Sequence, residues 1–342
     1  MTRVIQWATG ITGMLSLRHV LGRDDLDLVG VRVYDPAKVG VDAGALCGLP
    51  DSGVRTTDDR AALLGTDADV VLYMGKVETD TPGCFRDVCE LLASGKNVVA
   101  TGSRFIHPRS LDPGLADGIE SACRTGGSSF LGVGLFPGFV GESLVPVLSR
   151  LAERADRIDV REVLNYSTYA SHDLVFNAMG FGHDPEDTTP LLTDPTYAAH
   201  AWIGSATVLA QALGLTVRSF EGFREVATTP RPLSVAAGEI PAGTVAAMRF
   251  GVIADCGETT IAVEHLTRMA DDLAPDWPTE IGYQVTVAGS PNMQLHLVIG
   301  SPGEDHSEQG CLATAMHAVN AIPAVIAAEP GLYDLSTLAP SN

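Results

Sequence analysis

Paired cysteines are missing from this chain. Cys47, Cys84, Cys89, Cys123, Cys256 and Cys311 form no C-x-x-C pair and no His/Cys grouping of zinc-binding spacing, and six are too few for a disulfide scaffold. We read them as free thiols and expect no metal ligand set. Basic residues are scarce too. With 22 Lys and Arg against 42 Asp and Glu, the formal net charge is -20, which repels nucleic acid and gives no footprint for an anionic membrane. No uncharged run reads as long enough to cross a bilayer, no basic and apolar leader precedes the first strand, and no segment repeats. These absences point to a soluble, cytoplasmic chain with neither nucleic acid nor membrane as a partner. At 342 residues and 45% apolar, it is long enough for two lobes, each with its own core.

What is present starts at the N-terminus. Val4-Ile5-Gln6-Trp7 runs into Ala8-Thr9-Gly10-Ile11-Thr12-Gly13, after which Met14, Leu15, Leu17 and Val20 recur at helical spacing. Strand, glycine turn and helix follow one another. In such a unit Gly10 lets the backbone approach a pyrophosphate, Gly13 lets helix and strand pack closely, and the helix N-terminus offers N–H groups to phosphate. Ala8 replaces the first glycine of G-x-G-x-x-G, and a lone A-x-G-x-x-G also occurs as a plain structural turn. The next run, Leu26 to Tyr34, reads as a second strand ending at Asp35. That acid stands 22 residues beyond Gly13 (35 − 13), where a dinucleotide fold places the group that binds the adenosine ribose; its plainer reading is a turn residue before Pro36. Lys38 and Arg32 could meet a 2′-phosphate, but Asp35 would repel one, so the balance favours NAD over NADP.

Ala68 to Gly75 is a nearly continuous apolar run, Cys84 to Ser94 reads as a helix, and Asn97 to Thr101 as the next strand. Helix Leu115 to Cys123 and strand Ser129 to Val133 follow. Strands separated by helices indicate an α/β fold with a doubly wound parallel sheet, whose ligands lie outside the carboxyl ends of the strands. By that rule Met74-Gly75, Thr101-Gly102-Ser103-Arg104 and Gly134-Leu135-Phe136-Pro137-Gly138 face the cofactor. Past residue 140 the pattern changes. Glu142 to Ala152 reads as an amphipathic helix, while 157–163, 244–254, 259–268, 283–287 and 294–299 read as strands of a mostly antiparallel sheet with helix 197–213 over one face. The expected division is 1–140, a dinucleotide-binding domain; 141–310, an α+β substrate and dimerisation domain; and 311–342, a C-terminal helix (312–328) returning to the first domain. Small apolar residues on both faces of 244–250 and 261–263 suggest that the second sheet packs on a partner subunit.

Several segments together resemble the dihydrodipicolinate-reductase-like family: Val4 to Gly10, Val33 to Gly40, Gly95 to Val99, Phe136-Pro137-Gly138-Phe139, Met179-Gly180-Phe181-Gly182, and Ala318-Val319-Asn320-Ala321-Ile322-Pro323. Within it the chain is most similar to the native NAD(P)-dependent amine dehydrogenases and 2,4-diaminopentanoate dehydrogenase. The resemblance implies a two-lobe Rossmann fold, a homodimer, and hydride transfer between a nicotinamide and an imine or iminium carbon of a small molecule. It assigns Gly10, Ile11, Thr12 and Gly13 to pyrophosphate, Asp35 to ribose, and Met74, Gly75, Thr101, Phe136, Pro137, Gly138 and Asn320 to the cofactor side. Two departures stand out. The family's catalytic glutamate lies in the loop after the Asn97 strand, where this chain reads Gly102-Ser103-Arg104-Phe105-Ile106-His107-Pro108. The family's asparagine before Pro-Gly-Phe is Phe136.

Hydride transfer needs orientation and one proton donor or acceptor from the protein. The candidates are His107, Glu142, Tyr166, Tyr169 and His172. His107 leaves a strand end and titrates near neutrality, or is a surface histidine before Pro108. Glu142 is also suited to the first turn of a helix. Tyr166 and Tyr169 line a pocket or end a strand. Arg104 is suited to a substrate carboxylate or to cofactor phosphate, and a fixed cation there opposes entry of ammonium. Three functions follow: hydride transfer at C=N or C–NH, of amine-dehydrogenase or imine-reductase type; hydride transfer at C=O; or a cofactor-binding member that has lost catalysis with the glutamate.

Overall fold

The structure, a computed structural model, describes residues 1–301 and 304–338; the last four residues of the expected 311–342 segment lie outside them. Its strands are β1 (Thr2–Trp7), β2 (Leu26–Arg32), β3 (Thr56–Thr57), β4 (Val70–Tyr73), β5 (Asn97–Thr101), β6 (Ser129–Val133), β7 (Arg154–Asn165), β8 (Ser219–Thr228), β9 (Leu233–Val235), β10 (Gly238–Ile240), β11 (Val245–Asp255), β12 (Thr260–Arg268), β13 (Gly282–Ser290), β14 (Met293–Leu297) and β15 (Gly331–Tyr333). The chain divides into two units, Met1–Phe139 with Cys311–Asn342, and Val140–Gly310.

The first unit holds a parallel seven-stranded sheet in the order β15-β6-β5-β4-β1-β2-β3. All four side chains of β4 are buried, as covering both faces with helices requires. The chain turns from β1 outward to β2 and β3, then back to β4 on the other side of β1. The ends of β1 and β4 therefore flank the point where strand order reverses, the place where such sheets bind ligands. Phe105 anchors the core behind these ends, with ring centroids 4.9 Å from Phe85 and 5.8 Å from Tyr73 and Phe130. Its burial contributes roughly 2–3 kcal/mol, and it fixes the short helix Ser103–Ile106 that follows β5. A methyl at Gly132 would lie 1.8 Å from the Phe105 carbonyl oxygen, so glycine is required there for the helix to lie on β6.

Five sequence-based expectations are corrected by the structure of this unit. The second strand stops at Arg32, because Tyr34 and Asp35 turn into a 3₁₀ turn at Pro36–Lys38. The segment after β5 is two short helices, Ser103–Ile106 and Pro108–Leu111, instead of an open loop. The C-terminal helix begins earlier, at His306, and breaks at Ala321 into His306–Asn320 and Ile322–Ala327, since Pro323 has no N–H to continue the ladder. The stretch His306–Ala327 is also long and apolar enough to cross a membrane by length and composition, against the expectation that no run qualifies. Here Ala315, Ala318, Val319, Ile322 and Val325 are buried, and Ile322–Ala327 packs on β5 and β6, as a core helix does. β15 went unanticipated and extends the sheet beyond β6.

The second unit has a six-stranded sheet, β14-β13-β7-β12-β11-β8, and a separate β9–β10 hairpin. It is mixed: β7 and β12 run parallel and the other pairs antiparallel. Helix Pro195–Ala212 covers one face through Trp202, whose ring lies 6.1 Å from Phe250 and stacks at 6.0 Å on His265. The other face carries ion pairs, Arg161 with Glu264 and Arg249 with Glu225. The helix expected over Glu142 to Ala152 is a π turn, Val140–Leu144, followed by Val145–Ser149. Pro146 explains the change, because it cannot donate to the Glu142 carbonyl.

Candidate functional site

Ala8 adopts φ +75°, so the turn keeps its left-handed geometry without the first glycine, at a strain of roughly 1–2 kcal/mol. Gln6, wholly buried on β1, holds it there: Nε2 donates to the Ala8 carbonyl at 3.1 Å, and Oε1 accepts from the Ser16 hydroxyl at 2.8 Å. A methyl at Gly13 would sit 2.3 Å from the Ala8 oxygen, whereas one at Gly10 would meet nothing within 4 Å. Gly13 therefore closes helix onto strand, and Gly10 leaves open space in front of the turn. Helix Ile11–Leu21 has no side-chain cap and no acid in its first turn, and Ile11 is 42% exposed. Its leading N–H groups and positive dipole end are suited to an anion such as a pyrophosphate.

Beside this turn, Lys38 Nζ donates to the Thr9 carbonyl at 2.9 Å. The cation thus ties the segment after β2 to the glycine turn. Asp35 is exposed and caps its 3₁₀ turn, accepting from the Ala37 N–H at 2.9 Å. Tyr34 just before it is held by the Trp7 Nε1–H at 3.0 Å, and the Arg32 guanidinium lies over its ring at 4.8 Å. Arg32 itself donates to the Val33 carbonyl.

At the next strand ends, the Met74 N–H donates to the Trp7 carbonyl at 2.9 Å, and the crowded Gly75 abuts the Tyr73 ring. Thr101 is buried at the end of β5. Gly102 has φ +127°, and the segment after β4 lies against it. That contact carries a residue the sequence reading missed. Glu78 accepts from the Ser103 N–H at 2.8 Å and the Ser103 hydroxyl at 2.9 Å, with Arg104 Nε 3.4 Å from its second oxygen. The expected fixed cation is therefore paired with a carboxylate.

His107 is engaged in local structure. Nδ1 accepts from the Ser110 N–H at 3.2 Å as the cap of Pro108–Leu111, and Nε2 stands 3.9 Å from Asp334. Burial pushes its pKa below the ordinary histidine value. The segment Gly134 to Phe139, with a cis Phe136–Pro137 peptide, is tied down by another histidine absent from the sequence reading. His317 Nδ1 must carry its proton, because it meets the Gly134 carbonyl at 2.8 Å, and the ring packs edge-on to Phe139 at 5.7 Å. Burial lowers its pKa also. Asn320, one turn later, is exposed at the end of the helix.

Glu142 and Tyr169 belong to the second unit. Glu142 is buried in the π turn. Tyr169 stacks on Tyr166 at 5.0 Å, Tyr166 meets the His265 ring at 5.6 Å, and His265 Nδ1 is 2.5 Å from Glu162. Sequence inspection found the tyrosines and missed Glu162 and His265, which are brought side by side by the β7–β12 register, and Trp202, which reaches His265 from helix Pro195–Ala212. His172 packs on Phe176 at 4.7 Å.

An uncapped glycine turn at the switch point of a parallel sheet defines a Rossmann-type dinucleotide fold. Residues 139–341 match the family described as the 2,4-diaminopentanoate dehydrogenase C-terminal domain. The chain is 33% identical to an amine dehydrogenase of Streptomyces virginiae, covering 98% of this chain and 95% of that one. It is 27% identical to 2,4-diaminopentanoate dehydrogenase of Acetoanaerobium sticklandii, over 79% and 74% of the two chains. The solved amine dehydrogenase of Mycobacterium smegmatis superposes with a TM-score of 0.81 at 21% identity, covering 98% and 96%. The chain belongs to the 2,4-diaminopentanoate dehydrogenase and amine dehydrogenase family.

Proposed function

We propose that this protein is an NAD-dependent oxidoreductase that transfers hydride to or from the carbon of a C=N or CH–NH₂ group in a small molecule. The observation that carries this is membership of an amine dehydrogenase family over nearly the whole chain, together with a glycine turn whose geometry survives the loss of its first glycine. A bound nicotinamide supplies the hydride chemistry. The N–H groups of Ile11, Thr12 and Gly13 hold the pyrophosphate, and Asp35 binds the ribose hydroxyls and disfavours a 2′-phosphate. Lys38 steadies the turn through Thr9, and His317 fixes the Gly134 carbonyl of the segment on the nicotinamide side. His107, spent on a cap and on Asp334, serves structure. Because Arg104 is neutralised by Glu78, it no longer argues against amination with free ammonia: at ~4 Å and an effective dielectric of ~20, one partner offsets the other by about 4 kcal/mol. We place the enzyme in the cytoplasm as a homodimer.

The test is a scan of NADH oxidation over preformed imines, ketones with ammonia, and ketones alone, with NAD-dependent oxidation of the matching amines. Turnover with imines or with ketone plus ammonia is expected. Turnover of ketones without ammonia at the same rate would overturn the C–N assignment in favour of carbonyl reduction.

A further inference from the structure

We infer that Glu78, in the segment after β4, is the catalytic carboxylate of this chain, the group that meets the amine nitrogen and takes its proton, with Ser103 and Arg104 as positioning residues. The inference rests on the C–N activity proposed above. The segment after β5 contains no acid, yet the fold brings one there from the neighbouring strand. β4 and β5 are paired, and a side chain at Gly102 would put its Cβ 2.5 Å from Val77 Cγ1 and 3.5 Å from Glu78 Oε1. Glycine is thus what lets the Val77-Glu78 turn lie on the end of β5. Val77 is buried and anchors that turn.

The orientation of the ion pair carries the argument further. The Arg104 side chain is 6% exposed and that of Glu78 is 38% exposed. The cation is inside and the anion outermost, on the strand-end edge beside the switch point. A cationic nitrogen arriving there meets negative charge first. Ser103 N–H and Oγ and Arg104 Nε hold the carboxylate from behind, which keeps it aimed outward.

In the oxidative direction, the N–H bond of the substrate ammonium breaks and an O–H bond forms on Glu78. The nitrogen keeps the electron pair, which then expels hydride from the neighbouring carbon and leaves an iminium ion, with NAD, the oxidant of the activity proposed above, as the hydride acceptor. Glu78 returns its proton to water on its exposed side. In the reductive direction Glu78 first takes a proton from water and, as the carboxylic acid, gives it to the nitrogen.

The experiment compares native protein with Glu78→Gln, using NAD and the best amine from the scan above. Glu78→Gln, which preserves shape and can still accept from Ser103, should bind NADH like the native protein and lose about 100-fold or more in kcat. The acid limb of its pH profile should disappear, and Glu78→Asp should restore part of the rate. Activity within threefold of native with the acid limb intact overturns the inference and leaves Glu78 as a helix cap. If the native protein turns over no amine, the functional reading fails on its own, and calorimetric titration of the NAD-loaded protein with isopropylammonium chloride decides the residue. Tenfold weaker binding in Glu78→Gln upholds the site, and equal binding overturns it.

Discussion

Replacing Gln6 by Leu tests whether a buried amide maintains the cofactor turn. Gln6 makes two neutral hydrogen bonds, to Ala8 and from Ser16, each worth about 1 kcal/mol net. Leucine removes both and leaves the buried Ser16 hydroxyl without its acceptor, a further cost of about 1–3 kcal/mol, while its own burial returns roughly 1 kcal/mol. The expected loss is about 2–4 kcal/mol, or roughly 5–12 °C in Tm for a unit of this size. Removing the orphan in Gln6→Leu/Ser16→Ala should restore part of it. Gln6 also restrains Ala8 at φ +75°, so its loss lets the turn relax and should raise the NADH Kd tenfold or more, equivalent to about 1.4 kcal/mol. Calorimetric melting and fluorescence titration with NADH read the two effects separately. A variant that loses stability and keeps native NADH affinity would refute the reasoning, since the turn would then hold without Gln6.

In the native protein NADH should bind more tightly than NADPH, with the gap narrowed or reversed in Asp35→Ser; tighter NADPH binding by the native protein would point instead to Arg32 and Lys38. His107 and His317 are both buried with pKa values below the ordinary histidine value. The unfolded chain therefore takes up their protons first, so their contribution to stability is present above about pH 6.5 and is lost as pH falls through the lower folded values. The urea midpoint should drop between pH 7.5 and 5, and His317→Phe should shrink that drop; an unchanged drop would show that His317 takes up its proton equally in the folded and unfolded states. Light scattering at micromolar concentration should give the mass of a dimer, and a monomer would contradict the assembly proposed here.

The parallel sheet was legible because its strands announce themselves in sequence: β4 is four apolar residues in a row, and the Ala8 to Gly13 turn gains its meaning from the strand before it and the second strand and Asp35 after it. The edge strand β8 was hidden because Glu221, Arg224 and Glu225 interrupt its pattern, and none of its side chains is fully buried. β15 is three residues long and gains meaning only by pairing with β6. Glu78 was missed for a related reason. It belongs to one strand's loop by sequence and to the next strand's end by contact, 25 positions from Ser103, and no local spacing reports that. His107 looked well placed because it follows a strand, but its role is set by Ser110 and the distant Asp334.

The pairing of β15 with β6 also sets a timetable for synthesis. β6 ends at Val133 and its outer partner begins at Gly331, so 197 residues (331 − 133 − 1) intervene. At ~5–20 residues per second, the nascent chain waits ten to forty seconds with an unpaired apolar strand edge while the entire second unit leaves the ribosome. An exposed edge of that kind invites association with other chains. The interval is one in which a ribosome-bound chaperone has most to protect, and slow translation of the codons between β6 and β15 would lower the yield of soluble protein more than the same delay placed before β6.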